Sequence, residues 1–154
     1  MATPTYYFDT LYPDHIQGII DSPVVTDPDG TPNHVLELEK AWSVEIKWRL
    51  TSDSSTMYPV TAIDGTWHIQ VSLESLGKGF EDTVAQGDVP FYPPDFGSNA
   101  MCEWSDKFTI AAGIPPDEAV YKLVTLITFK DHAGNRKAMA GFMDHPLLTF
   151  YKSA

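Results

Sequence analysis

An antiparallel all-β sandwich of about seven or eight strands is the fold class this sequence predicts, on three observations. Apolar and polar residues alternate at period two in several separate segments. Gly, Pro, Asn and Asp fill the breaks between those segments. No segment carries the i, i+3, i+4, i+7 apolar stripe of an amphipathic helix.

Residues 1–21 read as an aromatic-rich N-terminal arm, and residues 22–154 as a single sandwich domain. In the arm, Tyr6, Tyr7, Phe8, Leu11 and Tyr12 precede the first clear strand. Such side chains at a chain end need cover, either from their own sandwich or from a neighbouring subunit. Short strands are expected at SPVVTD, residues 22–27, and HVLEL, residues 34–38, separated by the turn formers PDGTPN. The clearest strand is AWSVEIKWRL, residues 41–50, where Trp42, Val44, Ile46, Trp48 and Leu50 take one face. TWHIQVSLESL, residues 66–76, repeats the pattern with Trp67, Ile69, Val71 and Leu73, after a turn at Asp64 and Gly65.

Residues 77–105 read as one long inserted loop, because GDVPFYPPDFGSNAMCEW, residues 87–104, has neither a helical nor a strand period. DKFTIAAG, residues 106–113, then predicts a short strand with Phe108 and Ile110 on one face. AVYKLVTLITFKD, residues 119–131, predicts a long one. There Tyr121, Leu123, Ile127 and Phe129 share a face and Val124 and Leu126 lie on the other, as in a central strand covered partly on both sides. The chain turns at DHAGN, returns through KAMAGFM, and ends with a candidate strand at PLLTFYK, residues 146–152.

The run YKLVTLITFKDHAGNRKAMAGF, residues 121–142, resembles the last hairpin of bacterial immunoglobulin-like domains, in which an apolar strand enters an A-G-N turn and an apolar strand returns. The Trp-rich strand at 42–50 is similar to an inner strand of such sandwiches. The resemblance implies an immunoglobulin/fibronectin-III-like sandwich and carries no catalytic residues.

Charge narrows the partners. Ten Lys and Arg face twenty-one Asp and Glu, a net charge of −11, and that surface repels phosphate backbones and anionic lipid heads. No nucleic acid and no membrane partner is expected. Residues 1–77 hold three basic and eleven acidic residues, against seven and ten in residues 78–154, so the acidic excess is concentrated toward the N-terminus. Cys102 is the one cysteine, so no intrachain disulfide forms and no oxidising compartment is needed. Neither a basic-then-apolar leader nor a run of eighteen apolar residues is present. A cytoplasmic location is therefore expected, with export by a non-standard route left open.

Catalytic signatures such as G-x-S-x-G, H-E-x-x-H and a phosphate-cradling Gly-rich loop are absent, and neither an enzyme nor a cofactor is expected. Aspartate precedes histidine at 14–15, 131–132 and 144–145, but neighbours on a strand point to opposite faces, which favours ordinary loop polarity over metal ligation. His68 falls on the polar face of its strand. Asp27 and Asp29 have the spacing of calcium-loop ligands without the terminal Glu, so a β-turn and a weak metal site are the alternatives. Cys102 has Glu103 beside it and no adjacent cation, the setting of an inert thiol. Glu37 and Glu39 would share a strand face, where two carboxylates are the ordinary make-up of a solvated surface and a glycosidase-like acid–base pair is the lesser alternative.

The aromatic residues carry the functional expectation. Phe91, Tyr92, Phe96 and Trp104 lie in a proline-stiffened segment, and stiff aromatic loops serve as protein contacts or sugar-stacking platforms. Alternatively, the segment crosses between sheets and covers the end of the core. The leading expectation is a non-enzymatic interaction or assembly module, homo-oligomeric, that uses this segment together with Tyr6, Tyr7 and Phe8. The alternative is a small-ligand module for carbohydrate, assisted by calcium at Asp27 and Asp29.

Overall fold

The computed structural model describes residues 6–10, 16–52, 64–91 and 101–153. These residues form β1 (Tyr6–Asp9), β2 (Ile16–Ile20), β3 (Val24–Thr26), β4 (Val35–Glu37), β5 (Trp42–Ser52) and β6 (Gly65–Ser75). The chain continues through β7 (Glu81–Phe91), β8 (Met101–Ile110), β9 (Ala119–Asp131), β10 (Arg136–Met143) and β11 (Leu147–Tyr151). There is no helix among the described residues.

Two sheets result. The seven-stranded sheet is centred on β9. One edge of β9 carries β6 and then β7, while the other is shared by β10 with β1 and by β11 with β4. The four-stranded sheet is centred on β5, with β8 along one edge and β2 and β3 sharing the other. All the pairings are antiparallel except β4 with β11.

The period-two pattern explains the packing. Trp42, Val44, Ile46, Trp48 and Leu50 of β5 face Trp67, Ile69, Val71 and Leu73 of β6, with Tyr121, Leu123, Ile127 and Phe129 of β9 beside them, and all are buried. At one end the rings of Trp48, Trp67, Trp104, Phe91 and Phe129 form a cluster, with Trp67 and Phe129 edge-on at 5.2 Å. A second cluster joins Trp42, Phe150 and Tyr121, where the Trp42 indole donates to the Ile114 carbonyl at 2.8 Å. Aromatic pairs in these orientations add to the stabilisation from buried area, and sheets packed about 10 Å apart are filled by such rings.

Two sequence expectations are corrected. Residues 77–105 are not one long loop: β7 occupies 81–91 and β8 begins at 101, five residues before the expected strand. At the centre of β7 the inward positions are small, Ala85 and Gly87, and a register shift turns Thr83 to the outer face, so bulky inward residues appear only at its end, Val89 and Phe91. Pro90 is compatible with this because β7 is an edge strand. Within the expected arm, residues 1–21, the described strands are integral to the sandwich, since β1 pairs in one sheet and β2 in the other. Phe8 enters the space between the two sheets and packs edge-on against Trp67 at 6.1 Å.

Candidate functional site

The residues singled out in the sequence are dispersed. Phe91 is 1% exposed and its ring meets that of Trp104 at 4.8 Å, tilted by 38°, so both rings belong to the aromatic cluster of the core. Tyr92 and Phe96 lie outside the described residues. Tyr6 is described in its backbone alone, paired with Met143, while Tyr7 projects outward and Phe8 inward. Asp27 closes a turn: its Oδ1 accepts the backbone N–H groups of Asp29 and Thr31, both at 3.0 Å. That is the side-chain capping of an Asx turn. No group of three metal-ligating residues occurs among the described residues.

Glu37 is occupied by its neighbours. It accepts the Tyr151 hydroxyl at 3.1 Å and the Ser153 hydroxyl at 3.1 Å, and Lys40 Nζ lies 3.4 Å away. These contacts, Tyr151 foremost, hold its carboxyl below the ordinary value, and such a group is a poor proton donor near neutral pH. Burial pushes the Cys102 thiol up to about 12, which keeps it protonated.

Strand register assembles a different surface, on the outer face of the seven-stranded sheet. One row crosses four strand pairings: Tyr7 opposite Phe142, Phe142 opposite Leu126, Leu126 opposite Gln70, and Gln70 opposite Gln86. Tyr7 is 46% exposed and stacks on Phe142, with ring centroids 5.5 Å apart and planes 16° from parallel. Gln70 is fixed by a hydrogen bond from its amide to the Thr83 hydroxyl at 2.8 Å. The adjoining row holds Thr128, His68 and Asp88, with His68 Nδ1 2.7 Å from Asp88 Oδ1.

Beyond that row, toward the β9–β10 turn, is a cleft of about 520 Å³ lined by Thr66, His68 and Thr128, by the carboxylates Asp88 and Asp131, and by Lys130, His132 and Arg136. Asp131 at its margin accepts the N–H groups of Asn135 and Ala133, and its Oδ2 lies 3.4 Å from Lys137 Nζ. The Asn135 bond foremost, with Lys137, holds the Asp131 carboxyl below its ordinary value. Sequence reasoning missed this site because β7, which brings Asp88 to His68, lacks a strand period. The readable signal was the turn at 131–135, which places Lys130 and Arg136 on facing strands.

No family model matches the chain, and no curated protein matches it. Among solved structures it is similar to the C-terminal domain of wzt, over 89% of this chain and 75% of that one, with 11% identity and a TM-score of 0.59. At that identity the likeness concerns the fold alone, a β-rich domain. A β-glucosidase from Listeria innocua in complex with gluconolactone aligns over 90% of this chain but 16% of its own, with 12% identity and a TM-score of 0.44. A Niemann-Pick type C2 protein from Japanese carpenter ant aligns over 87% and 92%, with 10% identity and a TM-score of 0.38. Scores this low bear on neither fold nor function.

Proposed function

We propose that the chain is a non-enzymatic binding module that recognises carbohydrate on the outer face of its seven-stranded sheet. The observation that carries this reading is the row Tyr7, Phe142, Leu126, Gln70 and Gln86. A pyranose ring presents an apolar C–H face and a rim of hydroxyls. Stacked aromatics suit the first, and amides and hydroxyls with both donors and acceptors suit the second. Because the row is built on paired strands, little ordering entropy is lost on binding. The finer fold type, immunoglobulin/fibronectin-III-like, is supported by the placing of β6, β9 and β10 in one sheet and β5 and β8 in the other, as that class distributes its strands.

A glycan array followed by titration tests the reading. Tyr7→Ala and Gln70→Ala are each expected to weaken the binding found by about tenfold or more while leaving the unfolding midpoint nearly unchanged. An array with no response, or a response indifferent to both substitutions, sinks it.

A second reading, homo-oligomeric assembly, is favoured by a separate patch. Val24, Val35, Leu147 and Tyr151 are exposed, and Val24 and Val35 line a common hollow where β3 and β4 form sheet edges. Light scattering at high concentration is expected to show an oligomer that Val35→Asp dissociates. A monomer at all concentrations removes this reading.

A further inference from the structure

The cleft at the β9–β10 turn sits at one end of the proposed glycan face, and it sets two cations side by side. Lys130 and Arg136 are directly opposite one another on β9 and β10. Like charges in that position repel and destabilise the sheet. A chain with twenty-one acidic residues has ample means to neutralise them, and Lys40, Lys47, Arg49, Lys122 and Lys137 each meet a carboxylate. Neither Lys130 nor Arg136 does so among the described residues, nor do Lys78, Lys107 and Lys152, but only Lys130 and Arg136 stand directly opposite another cation. Of the two carboxylates that also line the cleft, Asp131 pairs with Lys137 and caps its own turn, and Asp88 is hydrogen-bonded to His68. With Lys137 beside it, the cleft sets three cations against the two carboxylates Asp88 and Asp131, a positive balance within a protein of net charge −11.

We infer that the glycan recognised is acidic, with a sugar carboxylate seated between Lys130 and Arg136. This rests on the reading of the outer face as a glycan surface and adds the charge of the ligand to it. The guanidinium of Arg136 offers a planar pair of N–H donors that matches a carboxylate, and Lys130 supplies a second cation. The Thr66 and Thr128 hydroxyls on the floor can accept from or donate to ring hydroxyls. The anion also removes the repulsion between the two cations, so binding relieves a cost built into the empty sheet. From the cleft the strands run through the row of Thr128 and His68 to that of Leu126 and Gln70, so the remaining sugars of a chain follow β6 and β9 toward Tyr7 and Phe142.

The test uses a trigalacturonate, its fully methyl-esterified form and inorganic phosphate, titrated into the whole chain by calorimetry. The acidic trisaccharide is expected to bind at least about tenfold more tightly than the ester, and to weaken as NaCl rises from about 50 to about 500 mM. The double substitution Lys130→Gln with Arg136→Gln is expected to reduce the acid to the affinity of the ester and leave the ester unchanged. Its unfolding midpoint is expected to stay level or rise, because the repulsion is gone, which separates lost binding from lost folding. Lys78→Gln, outside the cleft, is expected to change nothing. Equal binding of acid and ester overturns the inference while leaving the glycan reading in place. Phosphate binding as tightly as the trisaccharide also overturns it, in favour of a free-anion site. Failure of every glycan, neutral or acidic, removes the glycan face and this inference together.

Discussion

Thr125 sits in the core face of β9, fully buried, and its Oγ1 has no hydrogen-bond partner among the described residues. A buried hydroxyl left unpaired retains its desolvation cost of about 1–3 kcal/mol, whereas a methyl group of the same shape carries none. Thr125→Val is expected to raise stability by about 1 kcal/mol, measured as a higher urea midpoint at unchanged slope. A lower midpoint would mean that the hydroxyl is paired. Cys102 gives a second prediction at this scale. Its thiol is raised from 9.0 to about 12 by burial, so the native state holds its proton where the unfolded state loses it. Stability from the neutral thiol is complete below about 9 and declines as pH rises toward about 12. Alkylation of the native protein at pH 8 should be slowed, relative to the unfolded chain, in proportion to the fraction of molecules opened, and Cys102→Ala should show a shallower loss of stability above pH 9. Rapid alkylation of the folded chain would contradict the burial.

The strands themselves divide into those that can be read in advance and those that cannot. Strands β5, β6 and β9 place a large apolar residue at nearly every inward position, so their faces are evident from alternation alone. In the middle of β7 the inward positions Ala85 and Gly87 are small because β7 and β8 approach closely where the two sheets meet at one flank. A Cβ on Gly87 would lie 2.9 Å from Asp106 Oδ2 and 3.0 Å from Phe108 Cε1. The absence of a period is thus a consequence of packing. It also hid the site, because the His68–Asp88 pair depends on β6–β7 pairing and the rest of the face depends on β6 lying beside β9. Only the Lys130–Arg136 opposition was local enough to follow from a turn. Gly87→Ala is expected to cost about 1–3 kcal/mol by forcing β7 off β8. Gly77→Ala, with nothing within 4 Å, should be close to neutral. Denaturant midpoints for the pair decide the matter, and equal values would show that the β7–β8 flank is loosely packed.

At the scale of the molecule, the opposite flank is closed by the first strands of the chain. Phe8 lies over two glycines, one in each sheet: a Cβ on Gly141 would be 2.6 Å from Phe8 Cδ2, and one on Gly18 would fall inside the same ring. The absence of side chains at these two positions lets a single phenyl ring bridge the sheets, beside Trp67. Asp21, just after β2, adds an ion pair to Arg49 of β5 at 3.2 Å, tying the N-terminal strands to the centre of their sheet. A detachable arm and an integral flank predict opposite results for removal of residues 1–10. If the arm served association alone, truncation would leave the unfolding midpoint unchanged and alter only the oligomeric state. Because β1 covers the edge of β10 and the half-buried Phe8 enters the space between the sheets, the expected result is a loss of about 2–3 kcal/mol, at or below the low end of the cost of deleting a fully buried phenyl group. An uncovered β10 edge should also make the truncated chain prone to edge-to-edge aggregation. Phe8→Ala in the full chain separates the two effects, since it removes the ring and keeps the edge covered: stability should fall by a similar amount without aggregation, as read by denaturation and light scattering.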